Sequence, residues 1–178
     1  MHQDIEKVLI DEEVIKKRLD VLAEKVMADF EGESMVVVAL LKGAVLFMAD
    51  LLRRVPLSME IECLNVASYH GGTESSGVVS FLDHTLPDVA GRHVLILDDI
   101  LDTGRTLDAV MEKLKQQGAA EVKTCVLLAK DIPREEVMAA DYTGFVIGDE
   151  FVVGYGLDYR GRYRNLPYVG ILKQSVIG

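Results

Sequence analysis

Residues 94–107, which read VLILDDILDTGRTL, decide the fold. They open with a short apolar run of the kind that forms a strand buried on both faces of a parallel sheet. The acidic pair Asp98-Asp99 and the turn Asp102-Thr103-Gly104 follow, and then Leu107, Val110, Met111 and Leu114 recur at helical spacing. A strand, a tight turn and a helix in this order predict one unit of an α/β fold, with the turn at the carboxyl end of the strand.

The turn itself has the composition of an anion site. In open α/β sheets, ligands bind beyond the carboxyl ends of the strands, where a helix N-terminus presents free backbone N–H groups. Gly104 permits a positive φ and leaves room for a ligand. Thr103 and Thr106 supply hydroxyl donors and Arg105 supplies a positive charge. Residues 102–106 are therefore predicted to bind a phosphate group.

Three carboxylates, Asp98, Asp99 and Asp102, accompany this phosphate site. They suit a ligand that carries sugar hydroxyls and a bound Mg²⁺, because carboxylates accept hydrogen bonds from a diol and Mg²⁺ prefers oxygen ligands. The alternative is an acidic entry to the helix, with Asp102 as a simple N-cap.

Other apolar patterns predict the rest of the domain. Helices are expected at residues 15–30 and 44–54, and strands at residues 35–41, 59–67, 78–82, 122–129, 145–147, 151–153 and 168–172. The last strand is expected to close the sheet, and residues 68–77, with three glycines, to form a mobile loop. Strands that alternate with helices predict an α/β fold with a central, mostly parallel sheet flanked by helices, in a single domain over residues 1–178.

Composition narrows the class of protein. The 178 residues are 49% hydrophobic and carry a net charge of −10, which argues against a general nucleic-acid binder. No apolar run is long enough for a transmembrane helix, and the acidic N-terminus does not resemble a signal peptide. Cys63 and Cys125 have no metal-ligand spacing, and we expect both to be buried free thiols of a cytoplasmic protein.

Several segments resemble a known family. Residues 94–107 resemble the phosphoribosyl-pyrophosphate (PRPP) signature of type I phosphoribosyltransferases. Leu41-Lys42-Gly43, Ser68-Tyr69, Lys130 and the run DEFVVGYGLDYRGRYRNLPYVGIL at residues 149–172 are similar to segments of the hypoxanthine-guanine phosphoribosyltransferases. These segments follow the family's order over about residues 5–175, so a chance match is much less plausible than for one motif.

The resemblance implies a fold and a reaction. The fold would add a small hood subdomain, from about residues 1–15 and 145–178, and a flexible lid that includes Ser68 and Tyr69. The reaction would join hypoxanthine or guanine to the phosphoribosyl group of PRPP, giving IMP or GMP and pyrophosphate. The family also implies Mg²⁺ as cofactor and a homodimer or homotetramer.

The resemblance also implies roles for individual residues. The ribose and 5′-phosphate of PRPP would be bound by Asp98, Asp99, Asp102, Thr103, Gly104, Arg105 and Thr106, with Asp102 as general base. The pyrophosphate would be bound by Lys42, Gly43 and Arg164, the metal by Asp98, Asp99 and Asp158, and the purine base by Ile100, Lys130, Phe151, Val152 and Asp158. Lys130 would read the 6-oxo group and Phe151 would stack on the ring. Taken alone, Lys130 could be a solvated lysine and Phe151 a core side chain.

Two other functions stay open at this point. The pair Asp98-Asp99 stands where the family usually has Glu then Asp, and an Asp pair also occurs in relatives that use other bases. A xanthine-preferring or broad 6-oxopurine enzyme is therefore an alternative. A regulator that senses PRPP and binds nucleic acid would need a basic face. The most basic stretch, residues 150–178, has only four basic side chains against two acidic ones.

Overall fold

The computed structural model describes residues 2–68, 79–82, 86–132 and 139–177. In chain order the elements are β1 (Ile5–Ile10), α1 (Glu12–Phe30), β2 (Met35–Leu41), α2 (Val45–Leu52), β3 (Met59–Ser68), β4 (Val79–Phe81), β5 (His93–Leu101), α3 (Arg105–Gln116), β6 (Glu121–Lys130), β7 (Tyr142–Ile147), β8 (Val152–Val153), β9 (Val169–Leu172) and α4 (Gln174–Ile177). None of these helices is both long and apolar enough to cross a membrane.

A six-stranded sheet forms the centre, in the order β4-β3-β2-β5-β6-β7. All neighbouring pairs are parallel except β3 and β4. The strand β2 is buried on both faces because α1 and α2 cover one side and α3 the other. Val37 and Ala39 belong to the hydrophobic core between the sheet and helices α1 and α2. Val36 and Val38 belong to the core between the sheet and α3. The α/β fold with a mostly parallel central sheet is thus confirmed.

A second, three-stranded sheet has the order β1-β9-β8. The strand β9 was expected to close the main sheet, and that prediction is wrong. The strand β1 was not predicted, because its sequence IEKVLI has charges in its centre. It forms because it pairs with β9 from the far end of the chain, with Ile5 opposite Leu172 and Val8 opposite Gly170. Such pairing leaves no local signal in the sequence.

The two cysteines differ in their surroundings. Cys125 is buried, as expected, and burial raises the pKa of its thiol. Cys63 is exposed, which corrects the expectation of two buried thiols. It lies in the first half of β3, the strand next to the edge of the sheet. Among the described residues, β4 pairs with Val66, Ala67 and Ser68, which lie beyond Cys63 in β3.

A tyrosine–aspartate contact joins α1 to the main sheet, far from the carboxyl ends of the strands. The Tyr142 hydroxyl donates to Asp29 Oδ2 at 2.5 Å, and Lys123 Nζ lies 3.1 Å from the same oxygen. The hydrogen bond from Tyr142, followed by that from Lys123, lowers the pKa of Asp29.

We expect Tyr142→Phe to lower the free energy of unfolding by about 1–2 kcal/mol at neutral pH, because it removes this hydrogen bond. A carboxyl whose pKa is lowered by folding adds stability above its ordinary value of about 4, and this stability is lost as the pH falls through the folded value. The difference from wild type should therefore shrink below about pH 4. Urea unfolding at neutral and acid pH measures it, and an equal difference at both would refute the assignment to ionised Asp29.

Candidate active site

The site begins where two neighbouring strands part. Pairing between β2 and β5 ends at Ala39 and Leu97, whereas β5 continues along β6 as far as Leu101 and Ala129. Asp98 and Asp99 therefore lie within β5, beyond its last partner in β2, and not after the strand as the sequence had indicated. This divergence opens a crevice at the carboxyl end of the sheet, the usual ligand position in α/β folds.

The predicted phosphate turn lies at this crevice. Gly104 adopts a φ of 85° directly before α3 and is the N-cap of that helix. The alternative interpretation of Asp102 as the N-cap is therefore wrong. A cavity of about 260 Å³ lies here, lined by both polar and apolar residues. Its polar and glycine lining is Asp98, Asp99, Asp102, Thr103, Gly104 and Thr106, and its apolar lining is Leu40, Leu41, Val66, Ile100, Leu101 and Leu107. Arg105 is exposed and lies outside this described lining.

The two aspartates of β5 form a linked pair. Asp98 Oδ1 accepts a hydrogen bond from the backbone N–H of Asp99 at 3.0 Å, and Asp99 Oδ1 accepts one from the N–H of Ile100 at 3.1 Å. Burial raises the pKa of Asp98, and the charge of Asp99 raises it further. Burial also raises the pKa of Asp99, although Arg164 opposes this shift. Two neighbouring, partly buried carboxylates are costly in their charged form, so this pair favours a cation nearby.

A second cavity of about 220 Å³ adjoins the first. It is lined by Asp99, Ile100, Asp102, Lys130, Glu150, Phe151, Val152, Leu157 and Asp158. Asp99, Ile100 and Asp102 line both cavities, so these three residues lie at their junction. The structure thus brings together all five residues that the sequence assigned to a purine. It adds Glu150 and Leu157, which flank the predicted residues in sequence but carry no motif of their own.

The exposure of Phe151 and Lys130 argues against the alternatives of a core side chain and a solvated lysine. Phe151 is 44% exposed, and its ring meets Tyr159 edge to face at 5.6 Å, so it is not a core side chain. Lys130 ends β6 with only 14% of its side chain exposed, so it is not a solvated lysine. Its Nζ lies 3.1 Å from Asp149 Oδ1. An incoming base that binds Lys130 would compete with this exposed carboxylate.

The three residues predicted for pyrophosphate lie beside these cavities. Gly43 is packed so closely on Asp99 that a Cβ at this position would collide with the carboxylate. Arg164 donates from Nη1 to the Gly156 carbonyl at 2.6 Å, and its Nη2 lies 2.6 Å from Asp158 Oδ1. Lys42 is exposed, and the Leu41–Lys42 peptide is cis. Of the predicted lid, Ser68 ends β3, whereas Tyr69 lies outside the described residues.

Known proteins resemble this chain over its whole length. The model of the phosphoribosyl transferase domain family matches residues 9–160. A hypoxanthine-guanine phosphoribosyltransferase of Streptococcus pneumoniae is 44% identical over 99% of the chain and 98% of that protein. A bifunctional protein TilS/HprT of Listeria innocua is 47% identical, and this chain spans only 27% of its length.

Solved structures agree with these relatives. A hypoxanthine phosphoribosyltransferase from Staphylococcus aureus has a TM-score of 0.94 and 42% identity, with 100% of this chain and 97% of that one covered. A Trypanosoma cruzi hypoxanthine phosphoribosyl transferase has a TM-score of 0.92 and 35% identity over 99% of this chain and 96% of that one. The identity, the coverage and the match of the domain model lead to one conclusion: the chain belongs to the hypoxanthine-guanine phosphoribosyltransferase family.

Proposed function

We propose that this protein salvages purines by transferring the 5-phosphoribosyl group of PRPP to hypoxanthine or guanine, with IMP or GMP and pyrophosphate as products. The observation that carries the proposal is the pair of cavities that share Asp99, Ile100 and Asp102. One cavity has the donors of a phosphate site and the other has a lysine and an aromatic face. A ribose at their junction would place its anomeric carbon next to the base.

The donors around the first cavity favour one orientation of PRPP. Its 5′-phosphate would accept hydrogen bonds from the backbone and hydroxyls of residues 102–106, at the N-terminus of α3. Asp98 and Asp99 would accept hydrogen bonds from the ribose diol. The pyrophosphate would then point toward Gly43, Lys42 and Arg164, which supply a backbone N–H and two positive charges.

The second cavity suits a 6-oxopurine. Lys130 would donate a hydrogen bond to the 6-oxo group, and Phe151 would stack on the ring. The backbone of Val152 and the side chain of Ile100 would contact its edges. Adenine carries an amino group at this position and cannot accept the bond from Lys130, so the site should reject it.

The reaction forms one carbon–nitrogen bond, breaks one carbon–oxygen bond and removes one proton from the purine. A ring nitrogen of the purine attacks the anomeric carbon, the bond from that carbon to pyrophosphate breaks, and the nitrogen loses its proton. Asp102 lines both cavities, which supports its proposed role as the carboxylate that would accept that proton. Asp98 and Asp99 would stabilise the positive charge that develops on the ribose ring.

Mg²⁺ fits the donors of this site. Within the described parts of the chain, no three acidic, histidine or cysteine side chains converge on a metal position. Mg²⁺ is usually held by one or two carboxylates together with substrate phosphates. Asp98 and Asp99 are candidates for those carboxylates, and Asp158 is a weaker one because its oxygens already accept from Arg164 and from the N–H of Gly161. When bound, Mg²⁺ would neutralise the pyrophosphate leaving group.

The base specificity tests the proposed reaction. Purified protein is assayed with PRPP and Mg²⁺ against hypoxanthine, guanine, xanthine and adenine, and kcat/KM is compared. We expect hypoxanthine and guanine to be used best and adenine not at all. Turnover of none of the three 6-oxopurines would reject the proposal, and a clear preference for xanthine would replace its substrates.

Lys130→Ala tests the base pocket separately. We expect it to lower kcat/KM for hypoxanthine and guanine by roughly 10- to 100-fold, because a charged hydrogen bond is worth about 1.5–3 kcal/mol. The KM for PRPP should change little, since Lys130 lines only the second cavity. Steady-state kinetics with each base measure this effect. Unchanged use of both bases would mean that another group reads the 6-oxo oxygen.

The hood, the oligomeric state and the location are proposed from the family resemblance. The small sheet β1-β9-β8 would act as the hood, because β8 supplies Val152 to the base cavity. Of the ranges expected in it, residues 12–15 lie in α1 and residues 145–147 lie in β7 of the main sheet. We infer a homodimer or homotetramer. Light scattering after gel filtration would measure the mass of the assembly. The exposed thiol of Cys63 suits a reducing, cytoplasmic location.

A further inference from the structure

Three consecutive residues of the loop after β8 have a positive φ. They are Gly154 at 96°, Tyr155 at 50° and Gly156 at 103°. This conformation is unfavourable for a tyrosine and persists only where the surroundings hold it. Here the N–H of Tyr155 donates to the Leu166 carbonyl at 2.8 Å, and the N–H of Gly156 donates to the Arg164 carbonyl at 2.9 Å.

The side chain of Tyr155 connects this loop to α2. It is only 5% exposed, and its hydroxyl donates to Asp50 Oδ2 at 2.7 Å. The other oxygen of Asp50 accepts from Arg53, the C-cap residue of the same helix. Burial, followed by the hydrogen bond to Asp50, raises the pKa of Tyr155, so the phenol stays protonated and remains a donor at neutral pH.

The loop and α2 meet at the proposed pyrophosphate site. The helix α2 directly follows Lys42, Gly43 and Ala44. Gly156 lies so close to Gly43 that a Cβ on it would overlap the Gly43 carbonyl oxygen. Gly43 is thus packed between Gly156 and the carboxylate of Asp99. The carbonyl of Gly156 in turn accepts from Arg164 Nη1. The spacing between Gly43 and Arg164 therefore depends on how firmly residues 154–156 sit on α2.

We propose that Tyr155 and Asp50 are positioning residues for the pyrophosphate end of PRPP, acting through Gly156 on Gly43 and Arg164. Neither side chain lines the described cavities, so they do not touch the substrate. Their hydrogen bond holds α2, and with it the Lys42-Gly43 turn, at a fixed distance from Arg164. This inference rests on the proposed role of Gly43 and Arg164 in pyrophosphate binding.

Tyr155→Phe removes only the hydroxyl and should weaken the binding of PRPP and pyrophosphate but not of the base. We expect the KM for PRPP in the forward reaction and for pyrophosphate in the reverse reaction to rise about five- to tenfold, the effect of one hydrogen bond of roughly 1 kcal/mol. The KM for guanine should stay within about twofold, because the base cavity does not contact Tyr155. Asp50→Asn keeps an acceptor for the phenol and should change these values less than Asp50→Ala does.

Tyr142→Phe is the matched control. Tyr142 is also 5% exposed and also donates to an aspartate, but it joins α1 to β7 away from the site. It should lose a similar free energy of unfolding while every KM stays unchanged. If it raised the KM for pyrophosphate as Tyr155→Phe does, the effect would reflect general destabilisation and the inference would be overturned.

Arg164→Gln separates the inference from the proposal beneath it. If this variant leaves the KM for pyrophosphate unchanged, the assignment of the pyrophosphate site itself is wrong. If Arg164→Gln raises that KM but Tyr155→Phe does not, the site stands and the positioning role is overturned. A rise in both, with guanine unaffected, supports the inference.

Discussion

Replacing Asp102 by asparagine should lower kcat by about two to four orders of magnitude, the usual contribution of a positioned general base. Asparagine has nearly the same shape as aspartate and can still accept a hydrogen bond, but it cannot take the proton from the attacking purine nitrogen. The KM for PRPP should change by less than about threefold, because Thr103, Gly104 and Thr106 still line the phosphate site. Steady-state kinetics with saturating hypoxanthine measure both values.

Asp108→Asn is the control for this variant. Asp108 is an exposed acid in the first turn of α3, so its removal makes the same change of charge close to the site. It does not line either described cavity, and its kcat should equal that of the wild type within about twofold. An unchanged kcat in Asp102→Asn would remove Asp102 from its role as base. An equal loss in Asp108→Asn would make the effect one of charge alone.

Gly43→Ala should lower kcat/KM for PRPP by about 100-fold, since small displacements of a positioning group can cost that much. The added Cβ would collide with the carboxylate of Asp99, so either the turn or the carboxylate must move. Both are proposed to bind PRPP, on its pyrophosphate and ribose sides. Steady-state measurement of kcat/KM for PRPP gives the loss, and a thermal unfolding curve shows whether the variant is folded.

The control here is Gly91→Ala. Gly91 has a φ of 69°, and a Cβ at this position would have no atom within 4 Å, so alanine strains the backbone but collides with nothing. It should lose about 1 kcal/mol of stability with kinetics unchanged. If Gly43→Ala kept wild-type kinetics, Gly43 would not hold Asp99 and the pyrophosphate turn together. If the loss of activity were proportional to the loss of stability in both variants, the conclusion would be the same.

The sequence predicted the main sheet because its strands carry local signals. Residues 35–41 are apolar throughout, and a strand buried between two helical layers requires this. The apolar patterns missed the small sheet, where the family resemblance had implied a hood subdomain, because β1 and β9 come from the two ends of the chain and are joined by pairing. Neither strand has an apolar pattern strong enough to indicate its partner.

The candidate site shows the same division. Residues 98–106 were found because one short motif contains the acidic pair, the turn glycine and the threonines. The second cavity, which adjoins them, depends on the segment from Glu150 to Asp158, which is distant in sequence. The contact of Gly156 on Gly43 and the hydrogen bond from Tyr155 to Asp50 are tertiary. No spacing within the chain could indicate them.

The most direct test of the proposed function is to count both products of one reaction. Hypoxanthine, PRPP and Mg²⁺ are incubated with the purified protein, and IMP and pyrophosphate are quantified together by chromatography. If the two cavities hold base and PRPP side by side, IMP and pyrophosphate should form in equal amounts, and neither should form when hypoxanthine is replaced by adenine. Pyrophosphate released without nucleotide, or no release at all, would contradict the proposed transfer.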